Sequence, residues 1–151
     1  MADSAAPAPL GRRLASAFYD FLLLFALWLA TEMLLVVLGW ASNRQIANAL
    51  HFLVSFAFLG WFWTHGGQTP GMAAWRLRAQ RVDGTALNWP TAAWRYAVAW
   101  PAWLLGGAGI WWTLTNPRRR GWQDLASGTE LILLPPRGAQ SQTDSAANPA
   151  K

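Results

Sequence analysis

Arg13 and Asp20 stand seven residues apart at the start of an otherwise apolar run from Leu14 to Ala41. In a helix that is two turns, about 10 Å along the axis, so they share a face without touching. A charge inside a membrane-length segment is costly and usually faces a partner or a water-filled cavity. Two chemistries are open to Asp20. It can be neutralised by an arginine from elsewhere, with Arg95 available, and merely fix helix packing; or it can relay protons or cations, as intramembrane carboxylates do. Glu32 is a second buried carboxylate, twelve residues on and roughly 120° round the helix, so the two do not line one stripe. His51, in the next apolar block, can lie at comparable depth and contact Glu32; otherwise Glu32 snorkels or faces its own helix partner.

The last acidic candidate is Asp124, close behind Arg118-Arg119-Arg120. An acid beside basic residues ordinarily makes a surface ion pair worth ~0–1 kcal/mol. Near Arg12 and Arg13 it could instead clamp the chain ends together. The loop Gly66-Gly67-Gln68-Thr69-Pro70-Gly71 lacks the Gly-Lys-Ser/Thr ending of a phosphate loop and follows no strand, so it reads as a turn. With no cysteine and only His51 and His65, no metal or cofactor site is expected. No nucleophile–base arrangement marks a catalytic centre, so the chain is not expected to be an enzyme.

The elements that must hold these residues are membrane elements. Hydrophobic residues make up 54% of the chain and charged ones 13%, and the charges avoid two long blocks. Between Asp20 and Asn43 only Asp20 and Glu32 ionise; between Gln45 and Trp75 only the two histidines do. A soluble helix would keep one face wet. Several of the twelve tryptophans, Trp40, Trp61 and Trp89 among them, fall near block ends, where indoles favour the headgroup level. The net charge of +5 comes almost wholly from arginine. Arginines beside membrane segments hold loops in the cytoplasm and reach lipid phosphates; nucleic acid is not an expected partner.

The first span covers about Leu14–Ala41 and the second about Ile46–His65, joined by the polar turn Ser42–Gln45. Residues 66–90 form a basic connection. Arg76–Val82 alternates as a strand would, Asp83-Gly84 marks a tight turn, and Thr85–Trp89 could return. Thr129–Leu134 is another strand candidate, and these pieces should make a small cap on one membrane face. The third apolar stretch, Thr91–Thr115, is interrupted by Arg95, Pro101 and Gly106-Gly107-Ala108-Gly109. Basic clusters lie on both sides of it, which favours a re-entrant segment over a spanning one. The fold expected is an all-α integral membrane protein with two transmembrane helices, a broken third segment and a cytoplasmic strand/turn cap. Residues 1–11 should be a loose tail, 12–134 the membrane domain and 135–151 a disordered tail.

These residues resemble the RDD family of small prokaryotic membrane proteins, named for one arginine and two aspartates. The matching pieces, in order, are Arg12-Arg13-Leu-Ala…Asp20, Gly67-Gln68-Thr69-Pro70-Gly71, Arg81-Val82-Asp83-Gly84, Arg95 and Asp124-Leu-Ala-Ser-Gly-Thr129. The resemblance implies that the signature arginine is Arg13 (or Arg12) and the aspartates Asp20 and Asp124. Two departures stand out: Met72 where a lysine is common, and Gln123 where a histidine often precedes the second aspartate. Transport, including sodium/proton exchange by some members, has been suggested for the family. The expected function is a non-catalytic module of the prokaryotic cytoplasmic (inner) membrane, with its N-terminus and basic loop cytoplasmic. It would bind lipid headgroups or a protein partner. The alternative is an oligomeric proton or sodium transporter, or its accessory subunit, using Asp20.

Overall fold

The protein is described by a computed structural model covering residues 6–105, 111–115 and 119–135. Helix α1, Leu10–Val37, has 28 residues, and α2, Arg44–Thr64, has 21. Both are long and apolar enough to cross a membrane. The end of α1 comes at Val37, short of Ala41, because Gly39 takes φ 73° and closes the helix: Trp40 N–H reaches back to the Leu35 carbonyl at 2.8 Å and Gly39 N–H to that of Val36 at 3.1 Å. Asn43 then caps α2, its side chain accepting the Ile46 N–H at 3.2 Å.

The surface of α1 is inverted relative to a soluble helix. Its buried residues are Arg13, Ser16, Asp20 and Leu35, while Phe18, Phe21, Met33 and Val37 are exposed, Val37 by 77%. Polar groups point inward and apolar groups outward. Helices run so only where the surroundings are themselves apolar or another surface covers them.

At the end where α1 starts and α2 finishes, the rest of the described chain gathers. A one-turn helix α3, Pro70–Ala74, is capped by Thr69. Strand β1, Leu77–Arg81, pairs antiparallel with β2, Thr129–Leu133, in the register Leu77↔Leu133 to Arg81↔Thr129. Between them come α4, Trp89–Leu104, a 3-10 turn at Trp112–Leu114, and α5, Trp122–Ala126. A cluster of Ala8, Trp63, Met72, Leu77, Leu87, Tyr96 and Leu131 forms the core beneath this sheet.

Three expectations need correction. Residues 6–11 are not loose: Ala8 is fully buried, its N–H donates to the Leu131 carbonyl at 3.0 Å, and Leu133 N–H donates to that of Ala6 at 2.9 Å. A segment of small residues and prolines can lie flat on a sheet edge, because Pro7 lacks only a donor that an edge does not need. Thr85–Trp89 forms no strand. Asn88 instead caps α4 through the Thr91 N–H at 3.0 Å, with a proline in the first turn. The partner of β1 is β2, some fifty residues away. The third segment begins at Trp89 and stays helical through Pro101 to Leu104. Its Gly106–Gly109 stretch lies outside the described residues, as does the expected tail beyond Pro135.

Helix α4 starts at the cap and runs alongside α2, with Trp89 against Phe56 and Trp100 stacked on Phe52 at 5.8 Å. By Trp112 the chain is back at the cap, where that ring lies 6.3 Å from Trp122.

Candidate functional site

Asp124 is completely buried and is the hub of the cap. It is the third residue of α5, and its Oδ2 accepts the Gly121 N–H at 3.0 Å, which covers an otherwise open donor at the helix start. The same oxygen accepts from Arg13 Nη1 at 2.7 Å, while Oδ1 accepts from Arg95 Nη1 at 2.5 Å. That Arg95 nitrogen also donates to the Thr129 hydroxyl. Arg120 closes the far side by donating to the carbonyls of Thr129 and Asp124 at 3.0 and 3.1 Å. The surface ion pair expected of Asp124 is therefore wrong, and the clamp is right: the acid binds the first helix to the last strand region. Burial pushes its pKa up, but the guanidiniums of Arg95 and Arg13 outweigh burial and hold it below 3.8.

Asp20 is satisfied differently. Its Oδ2 accepts from the Thr69 hydroxyl at 2.5 Å and its Oδ1 from the Gly71 N–H at 2.9 Å. Thr69 Oγ1 in turn accepts the Met72 N–H at 3.1 Å. The carboxylate thus holds the start of α3 against α1. Gly71 permits the approach, since a Cβ there would fall on the Ser16 carbonyl oxygen and the Asp20 carboxylate. Arg95, nominated as Asp20's counter-ion, goes to Asp124 instead; among the described residues no arginine pairs with Asp20.

The secondary candidates separate. Arg12, half-buried, donates to the Trp75 carbonyl at 3.2 Å, so Arg13 and not Arg12 meets the aspartate. Glu32 is 40% exposed and is not a buried carboxylate; its Oε1 lies 3.9 Å from His51 Nε2, a loose pair beyond hydrogen-bond reach. Beside it Trp28 Nε1 donates to Ser55 Oγ at 2.8 Å, and Ser55 donates to the His51 carbonyl at 2.7 Å. Among the described residues no three potential metal ligands cluster.

Arg13 and Asp20 share a cleft of about 620 Å³ that also takes in Trp63, Arg95, Gln123, Trp28 and Trp100. Helices α1 and α4 each pack on α2 but scarcely on each other, so α2 forms the back wall.

A family comparison matches residues 7–128 to the RDD family. The chain belongs to the RDD family. No curated protein and no solved structure matches it. Arg13 joins Asp124, and Asp20 stands apart on neutral donors. Met72 and Gln123 both lie on the cleft wall. Sequence reasoning did not single out Thr69 or Thr129 as partners of the acids. Thr69-Pro70 carried a signal, a cap residue followed by proline at the first helical position.

Proposed function

We propose that this RDD protein is a non-catalytic module of the prokaryotic cytoplasmic membrane that binds anionic lipid headgroups. The inverted surface of α1 carries the membrane reading: a 28-residue helix that buries Arg13, Ser16 and Asp20 and exposes its phenylalanines is suited to lipid. With α1 and α2 crossing, Arg44 alone among the described cations lies at the outer turn. Arg12, Arg76, Arg78, Arg81, Arg119 and Arg120 ring the cap end, which favours a cytoplasmic cap. Clusters of this kind attract anionic headgroups within a Debye length of the surface. The pairing of β1 with β2 and the return of Trp112 to the cap favour a re-entrant α4.

The chain has no native cysteine, so topology can be read with single cysteines. Labels at Ser42→Cys and Gly84→Cys should react from opposite faces, and Leu125→Cys from the same face as Gly84→Cys. Labelling of all three from one face would sink the two-span arrangement. Headgroup binding is read by spin-labelled phosphatidylglycerol against phosphatidylcholine in reconstituted vesicles. The preference for phosphatidylglycerol should fall when Arg78 and Arg81 become glutamine, and no preference in the unaltered protein would refute the lipid reading.

A second reading, an oligomeric proton or sodium transporter, draws on one observation: Asp20 lines the cleft. It requires a pH- or sodium-dependent flux in proteoliposomes that Asp20→Asn abolishes.

A further inference from the structure

The cleft is polar at one end and apolar along its length. Three residues that line its cap end each carry a buried nitrogen donor with no acceptor among the described residues: Arg13 Nη2, Arg95 Nε and Trp63 Nε1. The same is true of one acceptor, the Gln123 amide oxygen. Arg13, Trp63 and Arg95 are exposed by only 6, 6 and 2%, so these atoms are withdrawn from bulk water. An unpaired buried donor is costly, and three on residues that line one cleft are a poor arrangement for packing alone. Asp124 cancels one of the two guanidinium charges, and Arg120 backs the pair. The end of the cleft is thus cationic and rich in donors. Asp20 also lines the wall, about 10 Å further along α1, with its oxygens taken up by Thr69 and Gly71.

From Arg13 the cleft follows α1 to Trp28, about 22 Å along the axis. On the way it is walled by Ala17, Leu24, Leu59 and Ala99. Its flank is open between α1 and α4, where Phe18 and Phe21 are exposed at its edge.

We infer that this cleft holds one anionic phospholipid, its phosphate on Arg13, Arg95 and Trp63 and one acyl chain lying along α1 toward Trp28. The inference rests on the membrane reading above and adds an interior site to the surface collar. Phosphate oxygens accept from guanidinium and indole N–H groups, and a headgroup hydroxyl can donate to Gln123. The open flank lets the lipid enter sideways from its leaflet.

Native mass spectrometry of the full chain, released from nanodiscs of mixed phosphatidylglycerol and phosphatidylcholine, reads the retained lipid directly. One phosphatidylglycerol per chain should persist. Arg95→Lys keeps the ion pair with Asp124 but removes Nε, and Trp63→Phe keeps an aromatic side chain but removes the indole donor; each should weaken retention roughly tenfold, as losing a bond to a buried charge does. Ala99→Trp fills the apolar channel one turn beyond Arg95, leaves every donor in place and should abolish retention. The spin-label preference of the outer collar should survive all three variants, which separates failure here from failure of headgroup binding. Retention unchanged in Ala99→Trp would overturn the inference. So would displacement by inorganic phosphate alone, a preference for oleate over the phospholipid, or a disulfide-linked dimer formed through Ala99→Cys, which would put a second copy in the cleft.

Discussion

The cap around Asp124 and the seam around Asp20 each bury one carboxylate and satisfy it by different means. Asp124 has two guanidiniums, a third arginine behind it and a backbone N–H; Asp20 has a hydroxyl and one backbone N–H. Charge compensates charge in the cap, so removing either sign leaves the other stranded. In the seam neutral dipoles hold an acid, and what is held is a loop. The cap is therefore an electrostatic lock on the tertiary fold, and the seam a local fastening between α1 and α3.

Breaking the lock should have the largest effect. Asp124→Ala leaves Arg13 and Arg95 buried and unpaired, a loss of about 3–5 kcal/mol, to be read as a lowered unfolding midpoint in detergent. The same comparison gives a pH signature. A depressed folded pKa stabilises above the ordinary value, so the contribution of Asp124 should be intact down to about pH 3.8 and be lost as pH falls below it. A cap that melts between pH 7 and 5 would contradict this.

The seam should respond less. Gly71→Ala pushes a methyl group into the Ser16 carbonyl and the Asp20 carboxylate, and overpacking of that kind costs about 1–3 kcal/mol. Hydrogen exchange should quicken in α3 with β1 and β2 unaffected. Asp20→Asn keeps an acceptor for one of its two partners and should cost about 1 kcal/mol, seen in the same exchange experiment. If it destabilises as much as Asp124→Ala, Asp20 has an uncounted cationic partner and the contrast fails. Arg81→Ala marks the bottom of the scale. Its pair with Asp83 spans 3.8 Å with both side chains well exposed, so the unfolding midpoint should not move measurably.

The sequence made the two long helices plain, because uncharged blocks of membrane length with a capped polar turn between them have few other readings. The cap was legible as pieces: Arg76–Val82 and Thr129–Leu134 were strand candidates, yet pairing across some fifty residues leaves no local mark. Local signals were sometimes there to be weighed. Asn88 with Pro90 points to a helix start, and that outweighed the strand propensity of Thr85–Trp89. The site was legible as residue types but not as partners. Arg95 had two buried acids to choose between, and only the packing of α5 and the start of β2 against α4 brings Asp124 and Thr129 to it. The Ala/Pro composition of residues 6–8 hid their use as an edge segment, since small side chains say nothing about what they fit beneath.

The bond between Arg13 and Asp124 joins residues 111 positions apart. At ribosomal speeds that distance is on the order of ten seconds of synthesis, during which Arg13 exists without its acid. The first two helices are therefore complete before the last described helix and strand have been made, and Arg95 must wait for its acid as well. Closure of the cap therefore waits for α5, the last described helix, which carries Asp124. A nascent chain interrupted before Asp124 carries Arg13 and Arg95 without the carboxylate that pairs them in the complete fold.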